Sequence, residues 1–201
     1  MEITQKFIQE SQIKNEGTTS YIMEHKSGVV FKLYKSLFDY IFKNADYVLE
    51  EIEVRNRLNY IVSKKNDVKL TNLPQDILTF NGKIVGVAIE YLEGCITLSD
   101  FLKENSEIDL DKIKEEILKI VEELIANGII PTDPHFDNFL ISFCEDGTYK
   151  LNMVDTDDIY VSVYPNNKRD VWYESTINSC YRVIDLSFEK VIEEKRKNSK
   201  S

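Results

Sequence analysis

Apolar and polar positions along this chain follow a strand-like period first and a helical one later. Ile13 to Tyr34 is broken by turn residues at Gly17-Thr-Thr-Ser20 and Lys26-Ser-Gly28, and ends in the β-branched and aromatic run Val29-Val-Phe-Lys-Leu-Tyr34. Three strands separated by two turns are expected. From Asn44, placed to cap a helix, the residues Ala45, Val48, Leu49, Ile52, Val54, Leu58 and Ile61 recur at helical spacing. Ile77-Leu-Thr-Phe80 and Ile84 to Ile89 flank Asn81-Gly82, a pair that accepts the positive φ of a tight hairpin turn. Thr97-Leu-Ser-Asp100 reads as a helix start with a reciprocal cap. Leu110, Ile113, Ile117, Ile120, Val121, Leu124 and Ile125 form the clearest amphipathic helix, and Asn127-Gly128 stops it. A second hairpin is expected from Phe139-Leu-Ile141 and Lys150 to Val154, around Glu145-Asp-Gly147. A last helix is expected from about Thr176, with Ile177, Tyr181, Ile184, Phe188 and Val191 on one face.

The order is therefore a strand-rich part with one helix, then a mainly helical part with an inserted hairpin: an α+β chain. The junction falls near Tyr91-Leu-Glu-Gly94, which predicts two lobes, 1–92 and 93–201, with a ligand cleft between them. The 201 residues are 42% hydrophobic and 30% charged, enough for a real core. Asp and Glu outnumber Lys and Arg by 35 to 25, a net charge of −10. That balance argues against nucleic acid and anionic membrane as partners. The longest apolar stretch, Ile84 to Ile89, is far short of the ~20 residues of a membrane helix. The first residues carry no basic-then-apolar signal pattern, and Cys95, Cys144 and Cys180 are odd in number and far apart. A reduced, cytoplasmic protein is expected. With only His25 and His135, any metal would be held by carboxylates.

A few polar residues sit where the pattern predicts burial or a cleft. Lys32 lies in an apolar strand on the face of Val30 and Tyr34. Alone it reads first as a lysine snorkelling to water, and Glu51 on the next helix as part of a solvated acidic face with Glu50 and Glu53. Together they have the makings of an ion pair that aims an ammonium at a phosphate. Asp133 and Asn138 lie five apart on a loop after the long helix, where an aspartate can take a hydroxyl proton and an asparagine carbonyl can ligate magnesium. As turn formers they also need no function. Asp155, Asp157 and Asp158 follow a strand; they form either a divalent-cation site or an acidic surface turn.

The order of these residues resembles the protein kinase-like superfamily, from about Ile13 to Ile159. Val29-Val-Phe-Lys32 is similar to the strand motif V-A-I-K. Glu51 to Leu58 resembles the helix that supplies the partner of that lysine, and Ile89-Glu-Tyr-Leu-Glu-Gly94 a kinase hinge. Asp133 to Asn138 resembles the catalytic loop, with Asp155 in the place of the D-F-G aspartate. The resemblance implies a bilobal fold with an N-terminal antiparallel sheet and one helix, followed by a mainly helical, reduced C-terminal lobe. It implies that Lys32, fixed by Glu51, holds the ATP phosphates beside Gly17. The backbone of Glu90 and Leu92 would bond adenine, Val30 would pack on the base, and Ile89 would back the pocket. Asp133 would be the catalytic aspartate, with Asn138 and Asp155 the magnesium ligands.

The sequence departs from the pattern in several places. Glu16-Gly-Thr-Thr-Ser-Tyr21 has one glycine where three are usual. Pro131 and Thr132 replace the histidine and arginine of the catalytic loop, and Asp155-Thr-Asp replaces D-F-G. His135 gives D-x-H-x-x-N, similar to the aminoglycoside and choline phosphotransferase branch. Only 46 residues follow Asp155, little room for peptide-docking helices. The expected function is an ATP- and magnesium-dependent phosphotransferase acting on a protein or on itself; a small-molecule acceptor competes, favoured by His135 and opposed by the short C-terminal part. The alternative is a pseudokinase that binds nucleotide or a protein partner without transfer, and AMP transfer from the same site is a third reading.

Overall fold

Alternation and β-branching between Gln12 and Tyr34 build three antiparallel strands, β1 (Gln12–Glu16), β2 (Ser20–Glu24) and β3 (Val30–Tyr34). The hairpin of β4 (Asp76–Phe80) and β5 (Lys83–Ile89) completes a five-stranded sheet of order β1-β2-β3-β5-β4. Its turn has φ of 49° at Asn81 and 75° at Gly82, as that dipeptide favours. The structure is a computed structural model and describes residues 1–35, 51–105, 108–144, 148–157, 159–161 and 171–198. These form two compact units, Met1–Lys65 with Leu73–Tyr91, and Asn66–Asn72 with Leu92–Ser201.

In the first unit Phe31, Leu33, Met23, Leu78 and Val85 form the core of one sheet face, joined by Ile3 and Ile8. Ile8 belongs to a short helix, α1 (Gln5–Gln9), capped by Thr4, whose side chain accepts from the Phe7 amide at 3.1 Å. Five residues are too few to show a helical period, so the sequence pattern gave no sign of it. Helix α2 (Glu51–Ser63) buries Val54, Leu58 and Ile61 at the expected spacing and packs on β4 and β5. The expected cap at Asn44 lies outside the described residues. The unit thus holds two helices among its described residues, not the one expected.

The second unit is built on α3 (Leu98–Glu104), α4 (Leu110–Ala126) and α5 (Val171–Asn198). Thr97 caps α3 by accepting from the Asp100 amide at 3.1 Å, and its hydroxyl donates to the Asp100 carboxylate at 2.9 Å. Asp109 caps α4, accepting from the amides of Asp111 and Lys112 at 3.0 and 3.1 Å. The α4 face of Ile113, Ile117, Ile120, Val121 and Leu124 is buried, and Gly128 leaves the helix with φ of 73°. Strands β6 (Ile96–Thr97), β8 (Phe139–Phe143) and β9 (Tyr149–Met153) form one small sheet, while β7 (Ile129–Pro131) pairs with β10 (Ile159–Val161). Helix α5 buries Cys180, Ile184 and Phe188. It begins at Val171, five residues before the expected Thr176, because the low-propensity Val171-Trp-Tyr173 start hides it in the sequence.

Segment 66–72 belongs to the second unit. The Glu123 carboxylate on α4 accepts from the backbone amides of Lys69 and Leu70 at 2.9 and 2.7 Å. The buried Thr71 hydroxyl bonds both the amide and the carbonyl of Met153, each at 2.8 Å. Among the described residues no helix is long and apolar enough to cross a membrane.

Candidate functional site

The candidate residues divide between the units, and each group is built locally. In the first unit Lys32 occupies the middle of β3, between Ile22 on β2 and Val87 on β5. Only 5% of it is exposed, so the strand holds an ammonium on a buried stem; its Nζ lies 5.9 Å from the Tyr34 ring centroid. Lysine is seldom buried this far without interactions that support the charge. Val30 is opposite Ile89 in the β3–β5 ladder, which makes the expected base-packing and back-wall residues direct neighbours.

Gly86 on β5 makes this part of the sheet possible. A Cβ there would stand 1.9 Å from the Lys32 carbonyl oxygen, so β5 reaches β3 only because residue 86 has no side chain. Gly17 forms the β1–β2 turn, its amide donating to the Ser20 carbonyl at 2.9 Å. The turn is clamped by Lys35, whose amide donates to Thr19 at 2.8 Å and whose Nζ meets Glu16 at 2.7 Å. Glu51 opens α2, but its side chain lies outside the described residues, as does its expected pairing with Lys32. Glu90 directly follows β5 and is exposed, and Leu92 begins the second unit half-buried.

In the second unit the backbone brings Asp133, Asn138 and Asp155 together. After β7, the extended His135 leads into a single 3-10 turn, Phe136–Asn138. The Asn138 side-chain amide donates to the Asp133 carbonyl at 2.8 Å. Its backbone carbonyl accepts from Val154, the residue before Asp155, also at 2.8 Å. One residue thus fixes both carboxylate-bearing segments. Asp155 is exposed and has φ of 59°, a left-handed conformation that aspartate tolerates better than most side chains and that clusters at functional positions.

His135 was noted in the sequence only as a family variation, yet it has a definite place here. Its Nδ1 accepts from the Asp137 amide at 3.2 Å, which leaves the proton of the neutral ring on Nε2. That nitrogen lies 3.2 Å from Asp133 Oδ2, so the ring donates to one carboxylate oxygen and leaves the other open. No local pattern in the sequence reveals this pairing.

The expected cluster of Asp155, Asp157 and Asp158 lies partly outside the described residues. No group of three or more His, Cys, Asp or Glu side chains able to hold a metal is present among them. Asp155 is exposed while Asp157 is only 3% exposed, and Asp158 lies outside the described residues. The smaller set of Asn138 and Asp155 does suit magnesium. The amide nitrogen of Asn138 is committed to Asp133, its side-chain oxygen is not, and Asp155 adds a carboxylate, so both donors are the hard oxygens that ion prefers. No protein-family model matches the chain, and no curated protein matches it.

Proposed function

We propose that the chain is an ATP- and magnesium-dependent phosphotransferase with a protein kinase-like fold, acting on a hydroxyl of a protein or of the chain itself. The observation that carries this reading is the backbone arrangement around Asn138, which joins the Asp133 loop to the strand end that presents Asp155. A lysine buried in the middle of a strand, in the other unit, supports it.

Each residue then has a chemical task. Lys32 neutralises phosphate charge from a fixed stem. Val30 and Ile89 offer an apolar surface to a base, and the backbone of Glu90 and Leu92 offers it hydrogen bonds. Gly17 lets the β1–β2 turn approach phosphates without a side chain. Asp133, steadied by His135, accepts the proton of the attacking hydroxyl through its open oxygen. Asn138 and Asp155 would hold magnesium, which when bound supplies positive charge against the phosphates. Catalysis of this kind rests on positioning and charge, so the residues that set Asp133 and Asp155 matter more than the pocket walls.

The test is ATP binding by calorimetry with and without magnesium, paired with intact-mass measurement after incubation with both. Wild type should bind ATP in a magnesium-dependent way and gain phosphate-sized mass. Asp155→Ala should weaken the magnesium-dependent binding, and Asp133→Asn should bind but not transfer. ATP binding indifferent to magnesium and to Asp155→Ala would sink the reading. Magnesium-dependent binding with no transfer to any acceptor would favour the pseudokinase alternative, with which the single glycine of the β1–β2 turn agrees, and an adenylate-sized gain would indicate AMP transfer.

A further inference from the structure

The second unit contains a cavity of about 870 Å³ beside the Asp133 loop, walled by α3, the start of α4, residues 135–137 and the C-terminal half of α5. That is the size of a site for a small molecule. Its apolar lining is Leu102, Leu110, Phe136, Val191 and Ile192, and Phe136 is fixed edge-on against Phe188 at 4.8 Å.

Charge is unevenly distributed around this lining. Lys103 is held by Asp100 at 2.8 Å, and the two carboxylates of the lining, Asp137 and Glu194, act on the same ammonium. The other two cations both come from α5. Lys195 donates to the Asn105 carbonyl at 3.4 Å, while Lys190 has no ion-pair partner among the described residues. In a chain of net charge −10, a lysine without a carboxylate, beside apolar side chains, is a place where an anion gains both attraction and contact. The lining also includes His135, whose Nε2 is 3.2 Å from the Asp133 carboxylate. The α5 lining thus holds Lys190 and Lys195 with Glu194, and the loop lining holds His135, the partner of Asp133.

We propose that this cavity receives the phosphoryl acceptor, a small hydroxyl compound carrying a phosphate or carboxylate group. The inference rests on the phosphotransferase reading and replaces its protein acceptor with a small molecule. The anionic group sits against Lys190 and Lys195, the carbon skeleton lies on Leu102, Leu110 and Phe136, and the hydroxyl turns toward Asp133. In the transfer, the hydroxyl oxygen bonds to the terminal phosphorus of a nucleoside triphosphate. The bond from that phosphorus to the nucleoside diphosphate breaks, its electron pair leaving with the diphosphate, and the hydroxyl proton passes to Asp133.

The experiment is calorimetric titration of the full chain with glucose 6-phosphate and with gluconate, using glucose as the uncharged control. The same compounds are then incubated with ATP, magnesium and the protein, and the products read by mass spectrometry. At least one anionic probe should bind tenfold or more tightly than glucose, and which one binds separates phosphate from carboxylate. Lys190→Glu should weaken that binding by about tenfold to a hundredfold, the loss of one charge-assisted hydrogen bond. Asp133→Asn should bind the probe as wild type does and transfer nothing to it. Absence of anion binding, equal binding of glucose, or anion binding unchanged in both Lys190→Glu and Lys195→Gln overturns the proposal. Transfer to the chain itself that is indifferent to Lys190→Glu, with none to the probes, overturns the acceptor assignment and leaves the phosphotransferase reading standing. Lysine-dependent anion binding without magnesium-dependent ATP binding overturns both.

Discussion

Replacing Gly86 by alanine tests the claim that β5 lies against β3 only for want of a side chain. The added methyl would start 1.9 Å from the Lys32 carbonyl oxygen, so β3 and β5 would have to separate by about 1.1 Å to reach even 3.0 Å. The obstacle is backbone in a central strand pair and cannot rotate away. The neighbouring side chains Leu33, Leu78, Val85 and Val87 are all at most 1% exposed, so movement there disturbs a packed core. Overpacking costs about 1–3 kcal/mol, and weakening a ladder hydrogen bond adds about 0.5–1.5 kcal/mol. Alanine returns about 0.4–1 kcal/mol by restricting the unfolded chain. The net expectation is a loss of about 2 kcal/mol, within about 0.5–4, a large share of the ~5–15 kcal/mol of an ordinary domain. Urea unfolding followed by far-UV circular dichroism should show the midpoint falling by on the order of 1 M. Under the proposed function, ATP affinity should fall too, since the carbonyl that moves belongs to Lys32. An unchanged or higher midpoint would refute the packing argument whatever happens to nucleotide binding.

Four other outcomes are expected. Thr71→Val strips both hydrogen bonds from the buried Met153 peptide groups, and should cost about 2–4 kcal/mol by urea unfolding; a loss below 1 kcal/mol would mean water takes their place. Burial pushes the Cys180 thiol up from 9.0 to about 12, and burial together with Glu116 does the same to the Tyr149 phenol, from 10.0 to about 12. Over pH 9 to 12 the unfolded chain therefore binds fewer protons than the folded one, so thermal melting should move to lower temperature as pH rises; a flat profile would contradict it. In a thiol-reagent time course at neutral pH, exposed Cys144 should react first and buried Cys180 only on unfolding; equal rates would contradict the packing of α5. His135→Gln should lower kcat with little change in ATP KM if the imidazole steadies Asp133, and a variant of unchanged kcat would remove that role.

The readable parts of the fold were those governed by neighbours in sequence. Asn81-Gly82 announced a hairpin because only such residues take positive φ cheaply, and the turn has that geometry. Thr97 and Asp109 both cap helices, although only Thr97 was singled out. The Ile113 to Leu124 stripe is buried as its spacing requires. Contacts between distant segments left no such trace. Thr71 looks like an ordinary loop threonine until β9, 82 residues later, supplies Met153 as its partner. A lone Gly86 inside an apolar run signals a close backbone approach, but not to which strand. Within the candidate site, the order of Lys32, Asp133, Asn138 and Asp155 was visible in the chain. The bonds through Asn138, the His135–Asp133 pair and the cavity beside them depend on loop closure and α5. The run of aspartates after β9 did not show that Asp155 is exposed while Asp157 is buried.

Segment 66–72 also bears on the order in which this protein can acquire its structure. A ribosome delivers the whole first unit once Tyr91 has emerged, but the partners that bind Lys69, Leu70 and Thr71 are then still to come. Their anchors arrive later, Glu123 some 53 residues after Leu70 and Met153 some 82 residues after Thr71. Until then the amides of Lys69 and Leu70 must be satisfied by water. A fragment that starts at Leu92 would inherit the mirror-image defect, with the Glu123 carboxylate and the Met153 peptide groups stripped of their partners. The second unit is thus coded in two pieces with the end of the first unit between them, and a fragment intended to stand alone would have to carry both.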